Sequence, residues 1–178
     1  MNQMGRNAIG NDLQRAYQQV WKFRGQYNRF WRTPEPVNCL RYAVTEAAEA
    51  LDAWLREERS KDARNQQKEK NVIEELADCA IMLLSSIQPE DPVSEWLLKS
   101  LFEYPYPSEK VSLDAIVTTV ADALKYYNAI QSMSFGGGSV IIALRMIANY
   151  PYMQLNLEIG KRLERIWVKH VGPQGAAK

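Results

Sequence analysis

Two acidic pairs are the residues of this sequence best suited to chemistry. Glu46 and Glu49 stand three positions apart in an alanine-rich run, and Glu75 and Asp78 repeat that spacing after 25 intervening residues. On an α-helix, residues at i and i+3 share a face, with their Cβ atoms roughly 5–6 Å apart. Carboxylate oxygens grouped in this way are ligands that Mg²⁺ prefers.

The surroundings of these carboxylates favour a bound cation over simple solvation. Glu46 falls among small and aromatic residues, and Glu75 and Asp78 border an apolar stripe, whereas Glu74 takes the solvent-facing position. The sequence places no Lys or Arg at i+3 or i+4 from them. Burying unpaired like charges costs free energy, so a divalent cation would supply the missing positive charge. One such pair alone usually marks a solvated helix face.

Helices are the elements that must position these side chains. Ser112 is a predicted N-cap, and the glycines at 136–138 are predicted to end the helix that begins there. The charged stretch 56–70 is predicted to be a solvated connection. Apolar residues recur at spacings of three and four, which predicts helices over about 12–23, 37–58, 70–87, 94–102, 112–135, 139–149 and 153–169.

The sequence predicts a single all-α domain, since it contains no strand pattern and no internal repeat. A length of 178 residues suits one domain. We expect that domain to span residues 1–172, with a metal-binding helical core at about 12–87 and additional helices at about 112–169. Residues 173–178 are expected to form a flexible tail.

Composition and charge argue against several classes of partner. The 22 Lys and Arg against 21 Asp and Glu leave a net charge of +1, which does not favour nucleic acid. The apolar run at 80–84 is far shorter than the roughly 20 residues that span a membrane. The N-terminus has no apolar signal sequence, and Cys39 and Cys79 are expected to be reduced, so we expect a cytoplasmic protein.

Other metal and phosphate sites lack their required residues. A di-iron carboxylate bundle needs Glu-x-x-His elements on two helices, but His170 is the only histidine. Zinc hydrolysis is disfavoured by the same shortage of His and Cys ligands. GGGS at 136–139 lacks the lysine of a phosphate-binding loop.

The segments RFWRTPEPVNCLRYAVTEAAEAL and KNVIEELADCAIMLL, which carry the two acidic pairs, resemble the MazG-like family of all-α nucleoside triphosphate pyrophosphohydrolases. The similarity covers about residues 13–87. It implies a helical bundle that hydrolyses an NTP or dNTP to the monophosphate and pyrophosphate, with nucleotide-pool house-cleaning as a role. It also implies a homodimer or a dimer of dimers. The metal ligands would be Glu46, Glu49, Glu75 and Asp78, binding Mg²⁺ or, as a substitute, Mn²⁺.

Roles within that site can be assigned as hypotheses. Glu49 is the preferred proton acceptor from the attacking water, with Glu46 as the other catalytic candidate. An aromatic face stacks on a base and an amide binds its edge, so Trp31 and Asn38 are candidates for base recognition, beside Trp21 and Phe30. Candidates for phosphate binding are Lys70, Lys161 with Arg165, and Lys125 with Asn128.

Two other functions remain open at this point. The chain could be a helical interaction module that holds Mg²⁺ or a nucleotide without cleaving it. It could also be a pyrophosphohydrolase of another metabolite, such as a phosphoribosyl nucleotide.

Overall fold

In a computed structural model, the described part of the chain consists of helices and contains no strand. The structure describes residues 3–28, 32, 34–59, 65–103 and 111–172, and the side chains of 9–28, 32, 34–56, 71–103, 111–134 and 136–172. None of these helices is both long and apolar enough to cross a membrane. The helices are α1 (Gln3–Tyr27), α2 (Pro36–Arg59), α3 (Asn65–Ser86), α4 (Ser94–Glu103), α5 (Leu113–Ile130), α6 (Met133–Ala148) and α7 (Leu155–His170).

The prediction of an all-α chain is therefore confirmed, although several helices are longer than their apolar stripes. α1 begins at Gln3 rather than near residue 12 and continues to Tyr27, through residues that were expected to follow the helix. α3 begins at Asn65, five residues before its predicted start. Polar residues extend both helices because a helix already anchored by its packed face gains one backbone hydrogen bond for each residue added.

The α2–α3 pair is the centre of the fold. These two helices make the most extensive interhelical contact, and α3 is also packed against α1, α6 and α7. Leu76, Leu83 and Leu84 on α3 are fully buried. Facing them, α2 presents small residues, Ala43, Ala47 and Ala50, so the two helix backbones can approach closely.

The first and last helices pack side by side across the α2–α3 pair. The Gln19 amide donates to Asn156 Oδ1 at 2.7 Å, and the ring of Phe23 meets that of Trp167 edge to face at 6.3 Å. α7 also contacts α3. A helix more than 70 residues away in sequence therefore lies against the helix that carries Glu75 and Asp78.

The glycine triplet does not end a helix, so that prediction is wrong. Gly136 and Gly137 lie inside α6, and the chain turns earlier, at Gln131, whose φ of 51° is left-handed. A Cβ at Gly136 would stand 2.8 Å from Ala123 O on α5, and one at Gly137 would overlap Leu97 on α4. Gly136 and Gly137 are therefore packing residues that let α6 fit between two neighbours. The predicted cap is confirmed: Ser112 Oγ accepts a hydrogen bond from Ala115 N.

Candidate metal centre

Three of the four predicted ligands meet where α2 and α3 face each other. Glu46, Glu75 and Asp78 each bring one carboxylate oxygen to within 4.8 Å of the other two. All three residues are partly buried. Glu46 borders the alanine face of α2, one residue before the buried Ala47, so the packing that closes the helix pair also fixes the position of its carboxylate.

Glu49, the fourth predicted ligand, stands apart from this triad. Its side chain is exposed, one turn along α2 from Glu46. At about 100° per residue it lies roughly 130° from the centre of the buried face of α2, whereas Glu46 lies roughly 70° from it. Glu49 still raises the pKa of both Glu46 and Glu75 through its charge. It is therefore at the solvent side of the cluster.

The cluster carries more negative charge than its surroundings compensate. The pKa of Glu46 is raised to about 7, first by burial and then by the charges of Asp78, Glu49 and Glu75. Burial and the charges of Asp78 and Glu49 also raise the pKa of Glu75, and Arg162 and a hydrogen bond with Glu46 offset part of that rise. In the absence of a cation, protonation of these carboxyls relieves the repulsion between them.

Part of the compensation comes from α7. Arg162 Nε donates to Asp78 Oδ1 at 2.8 Å and Arg162 Nη2 donates to Asp78 Oδ2, which makes a two-pronged ion pair. These hydrogen bonds, foremost among the causes, raise the pKa of Arg162. Arg162 Nη1 also lies 3.8 Å from Glu74. The acidic residues thus have a basic partner that their own helices do not provide.

Glu74 is part of the same network, which contradicts the expectation that it faces solvent. Its side chain is 21% exposed, and Arg165 Nη1 lies 3.1 Å from its carboxylate. The outer side of α3 at this point is covered by α7, a contact that the local sequence does not show. Glu74 is thereby withdrawn from water and neutralised by two arginines.

The predicted phosphate-binding residues are placed as follows. Arg165 reaches the rim of the cluster through Glu74, whereas Lys161 is exposed and pairs with Glu158 at 2.8 Å. The backbone of Lys70 belongs to α3, but its side chain lies outside the described residues. Lys125 and Asn128 are both exposed on α5, and Lys125 forms no ion pair with a described carboxylate.

Of the four predicted base-binding residues, Asn38 and Trp21 have described side chains. Trp31 and Phe30 lie outside the described residues. Asn38 is partly buried near the start of α2, and its Oδ1 accepts from Arg41 at 3.0 Å. Trp21 is partly buried on α1, and its buried indole Nε1 has no hydrogen-bond partner among the residues that the structure describes.

Two residues near the cluster were missed in the sequence. Arg162 could have been found from the stripe Leu155, Ile159 and Leu163, because it lies roughly 60° from the centre of that stripe, against roughly 160° for Lys161. Tyr42 is 55% exposed and stands one turn before Glu46 on the same side of α2.

The donor set fits a small, hard divalent cation. Oxygens on opposite sides of Mg²⁺ are about 4.2 Å apart, given metal–oxygen distances of about 2.1 Å. The separations of up to 4.8 Å within the triad exceed that only slightly, so small side-chain rotations would close the site. Three carboxylates without a His or Cys ligand suit Mg²⁺ or Mn²⁺ better than zinc.

No model of a known protein family, no curated protein and no solved structure matches this chain. The chemistry of the site is therefore inferred from its own residues and geometry.

Proposed function

We propose that this chain is a Mg²⁺-dependent hydrolase of the MazG-like type, which cleaves a nucleoside triphosphate to the monophosphate and pyrophosphate. The observation that supports it is the convergence of Glu46, Glu75 and Asp78 from two helices, with more negative charge than Arg162 offsets. A cluster of this kind is suited to a divalent cation and, through it, to a polyphosphate.

The reaction requires a neutralised phosphate chain, an aligned water and a stabilised leaving group. Bound Mg²⁺ would supply charge neutralisation and a more acidic water. Among the residues of the chain, Glu49 is the best candidate to accept the proton of that water, because it is exposed at the solvent side of the triad.

Arg162 is the residue we assign to the phosphates. Its side chain is 26% exposed, and its guanidinium already lies at the triad, where it donates to Asp78. A cation on Asp78 would take over the role of counter-charge, which frees the planar donors of Arg162 for phosphate oxygens. Arg165 at Glu74 is the neighbouring candidate.

The Arg162–Asp78 ion pair also favours one other function. Together with the Glu74 contacts it forms a network that ties α7 to α3 without a metal. A non-catalytic helical module could use such a network for stability alone. In that case Mg²⁺ would leave the melting temperature unchanged, and the carboxylates would matter only as partners of the arginines.

A panel of NTPs and dNTPs, incubated with Mg²⁺ or with EDTA and assayed for pyrophosphate, separates these functions. We expect Mg²⁺-dependent pyrophosphate release from at least one nucleotide, and its loss in Glu75→Gln. The matched control is Glu164→Gln, an exposed glutamate on α7 that should retain full activity.

The outcomes of the panel are distinct. Release that persists unchanged in Glu75→Gln would contradict the metal assignment. No release from any nucleotide, combined with a melting temperature that Mg²⁺ does not change, would favour the non-catalytic module. No release combined with Mg²⁺-dependent stabilisation would favour a different pyrophosphate-containing metabolite, which a phosphoribosyl nucleotide added to the panel tests.

A further inference from the structure

A second arginine lies between the helices that carry the acidic pairs. Arg24, near the end of α1, is partly buried. Its Nε donates to Ser85 Oγ at 3.2 Å, and its Nη2 contacts Met82 Sδ at 3.7 Å. Both partners belong to α3 and both are uncharged. The guanidinium is therefore held in place by groups that do not neutralise it.

Arg24 has no carboxylate within ion-pairing distance among the residues that the structure describes. The acidic groups that act on it are the thiol of Cys39 and the phenol of Tyr27. Burial raises the pKa of Cys39 to about 11 and also raises that of Tyr27, so both are neutral at pH 7. A partly buried arginine without an anionic partner is unusual, because desolvation of a charge needs compensation.

The position of Arg24 relates it to the acidic triad. Asp78, Met82 and Ser85 are at i, i+4 and i+7, which places them along one strip of α3. At 1.5 Å per residue, Met82 and Ser85 lie about 6 Å and about 10 Å along the helix axis from Asp78. On α2, Cys39 lies seven residues before Glu46, the same separation along the helix as that between Asp78 and Ser85 on α3. Arg24 thus lies against the side of α3 that carries Asp78, one to two turns along the helix from it.

We propose that Arg24 is a binding residue for the phosphate oxygens of an anionic ligand bound beside the triad. The identification of that ligand with the triphosphate of a nucleotide rests on the proposed function. Two observations carry the assignment: an unneutralised guanidinium, and its alignment with a cation-binding cluster. No described residue accepts a hydrogen bond from Nη1 of Arg24, and a guanidinium edge matches two oxygens of one phosphate.

The test uses inorganic pyrophosphate as the probe, titrated into the full chain in EDTA by calorimetry. The wild type should bind pyrophosphate, and Arg24→Met should bind it at least roughly tenfold more weakly, because charged hydrogen bonds to the anion are lost. Arg15→Met is the matched control, an exposed arginine on the same helix. It should bind as the wild type does.

Equal pyrophosphate binding by Arg24→Met and the wild type would overturn the proposal, as would an absence of binding to the wild type. Arg24→Lys covers the case in which the methionine variant fails to fold. It keeps the charge and loses the planar fork, so its affinity should fall between those of the wild type and Arg24→Met. Wild-type affinity in Arg24→Lys would exclude the two-oxygen contact.

These results do not depend on catalysis. A chain that binds pyrophosphate through Arg24 but hydrolyses no nucleotide would contradict the proposed function alone. A chain that hydrolyses nucleotides with unchanged KM in Arg24→Met would contradict the assignment of Arg24 alone.

Discussion

Glu46→Gln should stabilise the metal-free protein at pH 8 and, at the same time, weaken its response to Mg²⁺. The substitution removes one charge from the triad while keeping the size and shape of the side chain. The two effects have opposite signs because the carboxylate is unfavourable when the cluster is empty of cations and favourable when a cation neutralises it.

The size of the stabilisation that Glu46→Gln should give follows from the pKa of Glu46, which burial and its acidic neighbours raise from 4.5 to about 7. Each unit of pKa corresponds to about 1.4 kcal/mol, which gives an upper limit of about 3 kcal/mol. Because the carboxyl is only partly buried, we reduce this for solvent screening to about 1–2 kcal/mol. For a chain of this size that is a rise in Tm of roughly 2–8 °C.

The sign of this effect on stability can be checked through the pH dependence of the free energy of unfolding. Between 4.5 and about 7 the folded chain binds more protons at Glu46 than the unfolded chain does, so the free energy of unfolding falls as pH rises through this window. The wild type should therefore lose stability from pH 5 to pH 8 in EDTA, and Glu46→Gln should lose less. At pH 5, where Glu46 is protonated, the two proteins should melt at similar temperatures.

Thermal unfolding in EDTA and in millimolar Mg²⁺ provides the assay. At a free Mg²⁺ concentration ten times Kd, the wild type should gain about 1.4 kcal/mol, and the variant should gain clearly less. Glu164→Gln, on the exposed side of α7, should behave as the wild type in both buffers. Our reasoning is refuted if Glu46→Gln melts lower than the wild type at pH 8 in EDTA, or if it keeps the full Mg²⁺ response.

Two further predictions concern the substrate and the packing of α6. Tyr42→Ala should raise KM for the hydrolysed nucleotide roughly tenfold with little change in kcat, since base stacking on an aromatic ring contributes about 1–3 kcal/mol. Trp96 is an equally exposed aromatic residue on α4, and Trp96→Ala should leave KM unchanged. Steady-state kinetics that show no difference between the two variants would exclude stacking on Tyr42. Gly136→Ala should lower the free energy of unfolding by about 1–3 kcal/mol, because its Cβ would stand 2.8 Å from Ala123 O. Gly138→Ala has no atom within 4 Å of the new Cβ and should instead stabilise α6 by about 0.5–1 kcal/mol in denaturant unfolding.

The sequence predicted those parts of the fold that depend on local periodicity. The stripe of α5 and its cap at Ser112 are set by residues within a few turns of one another, and both are confirmed. The glycines at 136–138 were misinterpreted because helix propensity counts the entropy cost of glycine and not the space that a neighbouring helix needs. That space is defined by Leu97 and Ala123, which are distant in sequence.

The candidate site shows the same division between local and distant information. Spacing alone predicted that Glu75 and Asp78 share a face, whereas their approach to Glu46 depends on the packing of α2 against α3. No Lys or Arg stands at i+3 or i+4 from these carboxylates, but in the fold Arg162, which is 84 residues beyond Asp78 in the sequence, donates to Asp78. The charge pattern of α7 gave a usable signal, since Arg162 borders the buried stripe, whereas Lys161 points away from it.

The Arg162 contact has a consequence for the order in which the molecule can form. α2 and α3 are neighbours in sequence and can associate as soon as both are synthesised, whereas α7 is made last. Until α7 docks, the carboxylates of Glu46, Glu75 and Asp78 on α2 and α3 repel one another, and Arg162 is not yet in place to offset their charge. A nascent or truncated chain should therefore depend on divalent cations for early collapse more strongly than the finished protein does.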